Sequence, residues 1–539
     1  MKQFSILTLF LLSSIYALGQ EYALIPYPSS IITKKEKDFI LSKASVIYYS
    51  DKELKNNVNY LQKVLKKATN FKLTTTTLKS KVHKGAIILS LEKFKNATKG
   101  SYSLEVSDGV IRISASDPSG VFYGIQTLLQ LFPVEIYSDT WVKNIKWKIP
   151  AVQILDEPKF EWRGMHLDVA RNFKSVAFVK KFIDNLARHK MNTFHWHLTE
   201  DQGWRIEIKK YPRLTQIGAY RDSTLIGHMR DKPHRFKVGR TGGYYTQEEI
   251  KEVVKYAQNR HVTIVPEIEM PGHAQAAIAA YPEYGNTGAN PGVRSKWGIS
   301  EDIFSPEEKT IEFLKDILNE VMELFPSQYI HIGGDEAKKT QWESSKRVKE
   351  LLKERGLHDM HEMQSWFIKQ ISNHLAENNR KLIGWDEILE GGLANNATVM
   401  SWRGDKGGVT AAKKGRNAVM ANSKFTYFSK YQSLDKENEP FAHGGFISLK
   451  KAYSFNPIPS VLSPKESKYI IGAQGQIWSE YIVEDNYVEY MMFPRACALA
   501  EVVWSKDKDY QKFLERLKIH LKRLNILGVN YRVPDEFIK

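Results

Sequence analysis

Two adjacent carboxylates, Asp335 and Glu336, lie in the stretch "QYIHIGGDEAKKTQW" at residues 328–342. The apolar residues at 329–332 predict a short buried strand, and the two glycines after them predict its end. Neighbouring carboxylates repel each other, so one of them holds its proton more readily than a solvated acid does. Glu336 is therefore a candidate general acid, with Asp335 supplying the negative charge that keeps it protonated. An exposed acidic turn is the alternative interpretation of this pair.

Polar and aromatic residues also follow most of the other apolar runs in the second part of the chain. They are Asp168, Arg171, His195, His197, Glu200, Asp201, Glu267, Glu269, His273, Trp385, Trp402, Trp478 and Glu480. Trp rings that line a pocket suit a ligand with apolar C–H faces, such as a pyranose sugar, although any one of them is also explained by core packing. Taken together, these residues predict a carboxylate-bearing pocket with aromatic walls.

A metal site is the competing interpretation of the histidines. The run "HWHL", which begins at His195 and precedes Glu200, contains residue types that bind zinc or iron. However, His195 and His197 share one face of a predicted strand, which is typical of structural histidines inside a barrel, and no HExxH or CxxC motif is present. We therefore predict no metal and no other cofactor. His273 is expected to be neutral and hydrogen-bonded to Glu200 or Glu269.

The apolar runs that must position these residues repeat in a strand, loop, helix order from about residue 156. Eight of them predict strands, at 164–170, 191–198, 262–269, 329–334, 381–387, 397–402, 417–422 and 469–478. Eight strands separated by helices predict an α/β fold of the (β/α)8 TIM barrel type. In such a barrel, chemistry collects beyond the C-terminal ends of the strands, which is where the polar and aromatic residues fall.

Amphipathic helices are predicted between several of these strands. One spans 175–190, one opens at a capping box formed by Thr246 and Glu249, and one opens at Ser305. The loop between the fifth and sixth strands is short, so a helix is expected to be missing or degenerate there. The segment 202–246 is rich in Gly, Lys and Arg and is expected to form an elaborated loop.

The residues before the barrel predict two further units. Residues 1–19 combine a basic start at Lys2 with a short apolar stretch, the layout of a secretory signal peptide. Residues 20–153 alternate short strands with helices and predict a smaller α+β domain. One of these helices is expected to be capped by Asp117 or Ser119. The barrel, with a C-terminal helix, is expected to occupy 154–539.

The overall composition narrows the class of protein. A hydrophobic fraction of 42% with 26% charged residues is ordinary for a globular enzyme. The net charge is +17, but the cations are scattered over predicted helix faces without a long basic block, so we expect no nucleic-acid partner. Cys497 is the only thiol, so no intrachain disulfide can form. A disulfide-free, Lys-rich chain with a signal peptide favours a bacterial periplasmic or secreted protein with no membrane span.

With these stretches assembled, the chain resembles the β-N-acetylhexosaminidases of glycoside hydrolase family 20. The resemblance covers nearly all of the sequence after the signal peptide, and "HIGGDEA" at 331–337 is its most specific motif. Other matching stretches are "GVFYGIQTLLQL", "FEWRGMHLDVARNF", "KMNTFHWHLTEDQGWRIEIKKYP", "VPEIEMPGHAQAA", "IGWDE", "QGQIWSE" and "FPRACALAEVVW".

The resemblance implies an exo-acting, retaining hydrolase of terminal β-linked GlcNAc or GalNAc, with an N-acetylhexosamine-containing glycan as its substrate. Its nucleophile is the substrate's own 2-acetamido oxygen, which gives an oxazolinium intermediate, so no protein carboxylate attacks the sugar. Glu336 would protonate the leaving oxygen and then activate water, while Asp335 would accept a hydrogen bond from the acetamido N–H.

The resemblance also implies roles for the other matching residues. Glu200 and His273 would tune the acid, and Tyr427 would donate to the acetamido carbonyl. The remaining roles are in binding: Trp385 and Trp402 around the acetyl methyl, Trp478 under the ring, Arg171 on O3 and O4, and Glu480 on O4 and O6.

Two positions depart from the family pattern. Many relatives have Asp in place of Glu200, and many have Asp where this chain has Ser429, close to the expected position of O4 and O6. The second departure, together with the positive net charge, leaves a 6-sulfated or otherwise anionic GlcNAc open as the substrate. Two further functions also stay open, which are a lacto-N-biosidase-like release of disaccharides and carbohydrate binding without hydrolysis.

Overall fold

The computed structural model describes residues 22–78, 82–95 and 97–538, so the predicted signal peptide at 1–19 lies outside the described residues. The N-terminal part is a seven-stranded mixed sheet. Its spatial order is Ser30–Thr33, Val152–Asp156, Tyr102–Ser107, Val110–Ala115, Ala86–Leu91, Val46–Tyr49 and Thr74–Thr77. Two helices, Lys55–Thr69 and Pro118–Leu131, accompany it. Asp117 caps the second helix by accepting hydrogen bonds from two backbone N–H groups, so the first of the two predicted caps is confirmed.

The structure differs from the sequence prediction at the boundary between the two parts. The predicted boundary between residues 153 and 154 falls inside the strand Val152–Asp156. This strand pairs antiparallel with Ser30–Thr33 on one side and with Tyr102–Ser107 on the other. Its register therefore assigns the whole strand to the N-terminal sheet, and the barrel begins after it.

The second part is a closed barrel of eight parallel strands, which confirms the predicted fold class. In chain order the strands are Trp162–Asp168, Thr193–His197, Thr263–Met270, Tyr329–Gly333, Lys381–Trp385, Thr398–Ser401, Ala418–Met420 and Ile470–Ile477. Each lies within one of the predicted apolar runs or overlaps it closely. They are buried almost throughout because helices cover the outside and side chains fill the inside.

Helices surround most of the barrel, as the amphipathic patterns predict. The longer ones are Val176–Arg188, Gln247–Gln258, Glu308–Leu324, Lys346–Glu354, Met360–Glu377, Lys406–Lys413, Asp485–Met492, Arg495–Trp504 and Tyr510–Ile526. The capping box of Thr246 and Glu249 is present. The prediction that Ser305 opens a helix is wrong: the helix begins three residues later, and the Ser305 hydroxyl accepts instead from the N–H of Glu307 in the turn before it.

Two connections are irregular. Only a 3₁₀ turn, Asp386–Leu389, lies between the fifth and sixth strands, where a missing helix was expected. The elaborated loop after the second strand contains a two-stranded hairpin, Tyr220–Ile226 with Arg235–Gly242. Within the described ranges, no helix combines the length and apolarity needed to cross a bilayer.

Gly333 ends the fourth strand in a conformation that tolerates no side chain. Its φ is +65°, and a Cβ there would lie 1.6 Å from Oε2 of the buried Glu269. We expect Gly333→Ala to lower the free energy of unfolding by about 2–4 kcal/mol, from backbone strain plus overpacking. Gly356→Ala is the matched control, since Gly356 has a φ of +63° but a Cβ added to it would meet no atom within 4 Å. Equal losses for the two variants in chemical denaturation would contradict the clash.

Candidate active site

The acid pair lies directly beyond the C-terminal end of the fourth barrel strand. Asp335 is buried, whereas the Glu336 side chain keeps 35% of its accessible surface. Glu336 and His273 both adopt left-handed backbone conformations, with φ of +46° and +50°. Such conformations cost on the order of 1 kcal/mol or more for a non-glycine residue and are retained where the surroundings enforce them. The backbone therefore holds Glu336 and His273 in specific orientations at the mouth of the barrel.

His273 connects the acid pair to carboxylates from other strands. Its Nε2 lies 3.6 Å from Oδ2 of Asp335 and 3.7 Å from Oε2 of Glu336. Its Nδ1 lies 2.7 Å from Oε1 of Glu200, which also pairs with Arg171 at 3.1 Å. Five of the predicted site residues, with Arg171 at one end, therefore form one continuous chain of charges.

The electrostatics of this chain give its members different protonation states. Burial, and then the charge of Asp335, raises the pKa of Glu336 above its ordinary value. Burial by itself would lower the pKa of His273, but the carboxylates of Glu200 and Asp335 outweigh it and raise that pKa well above its usual range. The expectation of a neutral His273 is therefore wrong: two carboxylates from separate strands converge on the ring and stabilise the imidazolium.

The imidazolium has a testable effect on the acid. His273 acts to lower the pKa of Glu336, against burial and Asp335. We expect His273→Gln to raise the pKa of Glu336, so the alkaline limb of the kcat/KM profile moves to higher pH. The loss of the charged hydrogen bond to Glu200 is expected to reduce kcat/KM by about 10- to 100-fold. An alkaline limb that stays in place or moves to lower pH would contradict this assignment.

Below the acid pair, Glu267 lies at the centre of a buried histidine cluster inside the barrel. Its carboxylate contacts His195 at 3.0 Å and His331 at 2.7 Å, and forms a short contact with His197. Trp385 donates its indole N–H to the same carboxylate at 2.8 Å. These are residue types that bind zinc; here the carboxylate accepts hydrogen bonds from His197 and Trp385 and lies against the rings of His195 and His331.

Aromatic rings form the walls of the site. Trp402 and Tyr427 are stacked, with centroids 6.0 Å apart and planes 3° apart, and Trp478 lies 6.1 Å from Tyr427. The guanidinium of Arg171 lies 5.1 Å over the Trp478 ring. Trp385 is buried behind this wall, 5.8 Å from Trp478. The structure thus brings the three predicted tryptophans together with Tyr427 and Arg171.

Glu480 is a further buried acid of the site, and it interacts with Arg171 and His443. Burial would raise its pKa, but Arg171 and His443 lower it to about 2, so Glu480 is a carboxylate. His443 Nδ1 lies 3.8 Å from Oε1 of Glu480. Glu480 in turn raises the pKa of His443, against burial. Ser429 is buried and accepts the backbone N–H of His443 through its carbonyl at 3.0 Å. Its hydroxyl has no hydrogen-bond partner among the described residues.

Three contributors to the site were not singled out from the sequence. Burial, and then Asp335, raises the pKa of Glu387 to about 8, and Glu387 accepts the indole N–H of Trp402 at 2.9 Å. Gln202 accepts from Arg171 at 3.1 Å. Glu387 follows a strand closely, in "GWDE", and this position is the sequence feature that indicates a residue of the site. His443 lies far from any strand motif and has no such feature.

Comparisons with known proteins agree with this geometry. The sequence matches the profile "Glycosyl hydrolase family 20, catalytic domain" over residues 160–507 and "Glycosyl hydrolase family 20, domain 2" over residues 21–157. A β-hexosaminidase of Porphyromonas gingivalis is 39% identical over 95% of this chain, and one of Akkermansia muciniphila is 31% identical over 84% of this chain and 90% of its own length. This chain spans 64% of the Porphyromonas protein and 65% of a Vibrio furnissii β-hexosaminidase, in each case just under two thirds.

Solved structures share the whole architecture. The exo β-N-acetylglucosaminidase of Vibrio harveyi, in complex with N-acetylglucosamine, is 31% identical with a TM-score of 0.83 over 95% of this chain and 79% of its own. The N-acetyl-β-hexosaminidase of Streptomyces plicatus is 28% identical with a TM-score of 0.83, over 96% of this chain and 97% of its own.

Proposed function

Since the chain belongs to glycosyl hydrolase family 20, we propose that it is an exo-acting β-N-acetylhexosaminidase. It removes terminal β-linked GlcNAc or GalNAc with retention of configuration. The observation that carries this proposal is the pairing of a carboxyl group whose pKa is raised, Glu336, with an adjacent buried carboxylate, Asp335, one of whose oxygens accepts no hydrogen bond from the described residues.

In the first step the substrate provides its own nucleophile. The 2-acetamido oxygen attacks the anomeric carbon while Glu336 donates its proton to the glycosidic oxygen, and the bond to the leaving group breaks. Asp335 accepts the acetamido N–H, which orients the amide and stabilises the positive charge of the oxazolinium ion. Orientation of an internal nucleophile can lower a barrier by about 7–11 kcal/mol in well-aligned cases.

In the second step water attacks the same carbon from the face that the leaving group vacated. Glu336, now a carboxylate, accepts a proton from that water, and the oxazolinium ring opens to the N-acetyl sugar. The two inversions together give retention. His273 assists this exchange because its positive charge stabilises the carboxylate form of Glu336 between the two proton transfers.

The remaining residues bind the sugar. Tyr427 donates to the acetamido carbonyl, and Trp402 and Trp385 surround the acetyl methyl. Trp478 stacks under the pyranose ring. Arg171, whose charge lowers the pKa of Glu480, binds O3 and O4, and Glu480 binds O4 and O6. Export to the periplasm or medium belongs to the same proposal and is supported by the signal-like residues 1–19.

Hydrolysis of 4-nitrophenyl glycosides tests this function directly. Cleavage of the β-GlcNAc and β-GalNAc compounds without cleavage of the β-glucoside is the expected result, because the glucoside lacks the acetamido nucleophile. Cleavage of the glucoside at a comparable rate would contradict it. A folded protein that cleaves no monosaccharide glycoside, but releases a disaccharide from an oligosaccharide, would replace it with lacto-N-biosidase-like activity.

An anionic sugar is a second candidate substrate, supported by the charges around Glu480. The buried Ser429 hydroxyl has no partner among the described residues, His443 has a raised pKa, and Lys430 lies 5.7 Å from the Tyr427 ring. A sulfate on O6 of GlcNAc would meet the Ser429 hydroxyl, His443 and the Lys430 cation beside the Glu480 carboxylate, and a second carboxylate in place of Ser429 would add to the repulsion.

Ser429→Asp separates the two substrates. We expect it to lower kcat/KM for the 6-sulfated 4-nitrophenyl β-GlcNAc by about 10-fold or more, through like-charge repulsion, while the neutral analogue loses less. Ser429→Asn is the uncharged control of nearly the same size. Equal or better turnover of the neutral sugar than of the sulfated one by the wild-type protein would rule out a preference for the anionic sugar.

A further inference from the structure

The hairpin of residues 220–242 is an exposed, strongly cationic feature beside the site, and we name it the basic hairpin. It has two aspartates against six basic residues, which are Arg221, Arg230, Lys232, Arg235, Lys237 and Arg240. Five of the six are exposed, and only Arg221 is buried at the base. Val238, in the middle of the second strand, is 85% exposed. The hairpin therefore projects from the protein with its charges in solvent.

Its cations are not neutralised internally. Arg230, Arg235 and Lys237 form no ion pair and no side-chain hydrogen bond with any residue in the described ranges. Asp231, the acid closest to them in the chain, is engaged in the turn, where its Oδ2 accepts the N–H of His228 at 2.9 Å. A solvated surface usually intersperses charges of both signs, so a cluster of one sign indicates a partner of the opposite sign.

The base of the hairpin is fixed to the barrel. Leu225 is buried and donates its N–H to the carbonyl of Ser295 at 2.9 Å. The guanidinium of Arg221 lies 5.4 Å over the Trp297 ring and donates to the carbonyl of Gln202. Since Gln202 also holds Arg171, the hairpin is anchored to a residue that itself shapes the pocket.

Its turn reaches the rim of the pocket. The His228 ring lies 4.3 Å from Phe441 and 4.7 Å from Tyr481, the residue after Glu480. His443 lies 5.9 Å from Tyr481. We call His228, Phe441, Tyr481 and His443 the rim cluster. Phe441 remains 44% exposed although it belongs to a loop that packs against the hairpin.

We propose that the basic hairpin and the rim cluster form a second binding site, outside the catalytic pocket, for a polyanionic glycan chain that bears sulfate or carboxylate groups. The proposal rests on the hexosaminidase function and adds a substrate class to it. The cations attract and orient the chain, and the exposed faces of the rim cluster pack against its sugar rings. The terminal residue of the same glycan, or of a branch of it, then lies next to Glu480.

The residue types favour a glycan over nucleic acid. Aromatic rings at the rim suit the C–H faces of pyranoses, and this surface continues directly into a pocket for a sugar. The cations are few and spaced along one hairpin, whereas a nucleic-acid site requires a longer row of phosphate contacts. Tighter binding of a DNA oligonucleotide than of a sulfated oligosaccharide of equal charge would reverse this choice.

Binding of a heparin-derived hexasaccharide to the whole chain, by calorimetry, tests the proposal. The test variant is Arg230→Glu/Arg235→Glu/Lys237→Glu, and the control is Lys35→Glu/Lys37→Glu/Lys43→Glu, which makes the same change in net charge on exposed residues of the N-terminal domain. We expect the hairpin variant to weaken binding at least about tenfold at low salt, and the control to change it less than about twofold.

Three outcomes would overturn the proposal. These are an absence of binding by the wild-type protein, an equal loss in both variants, and tighter binding of the DNA. Hydrolysis of 4-nitrophenyl β-GlcNAc by the wild-type protein, measured in the same preparations, reports on the catalytic function separately. Hydrolysis without hexasaccharide binding would support the hexosaminidase function and contradict the second binding site. Hexasaccharide binding without hydrolysis would support the binding site and contradict the hexosaminidase function.

Discussion

Glu336→Gln is expected to lower kcat/KM for a GlcNAc-β-GlcNAc disaccharide by about 10²- to 10⁴-fold, the range that general acid–base catalysis contributes. The glutamine keeps nearly the same shape but has no proton to give to the leaving oxygen. Because 4-nitrophenolate leaves without protonation, the 4-nitrophenyl glycoside should lose less in the bond-breaking step. General damage to the site would lower kcat/KM equally for both substrates. The ratio of the loss for the disaccharide to the loss for the 4-nitrophenyl glycoside therefore measures the role of Glu336 as the acid.

The pH profile provides a second signature of the same variant. The raised pKa of Glu336 keeps its carboxyl protonated into a higher pH range than usual, so kcat/KM of the wild-type protein should fall as the pH rises through that pKa. The glutamine variant should lack this alkaline limb.

Glu387→Gln is the matched control, because the pKa of Glu387 is also raised, to about 8, and this residue also lies near Asp335. If Glu387→Gln caused the leaving-group-dependent loss and Glu336→Gln did not, Glu387 would be the acid.

The parts of the fold that sequence predicted well are those set by local pattern. The strand Tyr329–Gly333 follows from its apolar residues and its terminal glycines, and the helix Gln247–Gln258 from its capping box. Ser305 was misassigned because a serine three residues before the helix can also stabilise the turn that leads into it. Local sequence alone does not separate these two arrangements.

The parts that sequence did not predict depend on contacts between distant strands. The charge of His273 is set by Glu200, 73 residues away, and by Asp335. His443 became part of the site only because the loop that carries it returns to Glu480. The predicted domain boundary cuts through the strand Val152–Asp156, because the pairing of this strand with Ser30–Thr33, at the other end of the domain, leaves no trace in its own composition.

Asp335→Asn is expected to lower kcat by about 10²- to 10³-fold, with a smaller effect on KM for 4-nitrophenyl β-GlcNAc. The asparagine fits the same space but removes the charge that stabilises the oxazolinium ion, a loss of the size seen when an electrostatic stabiliser of a transition state is removed. Because the charge develops after binding, the loss should appear mainly in kcat.

A stable mimic of the intermediate distinguishes this role from a general effect of the neighbouring charge on Glu336. A GlcNAc-derived thiazoline should bind the wild-type protein much more tightly than GlcNAc does. Asp335→Asn should remove most of that difference, because the carboxylate forms an ion pair with the protonated ring nitrogen of the thiazoline but accepts only a neutral N–H from GlcNAc. Glu336→Gln should retain more of it, since the acid acts on the leaving group. If Asp335→Asn bound the thiazoline as tightly as the wild-type protein, Asp335 would act only by raising the pKa of Glu336, and the substrate-assisted assignment of this residue would fail.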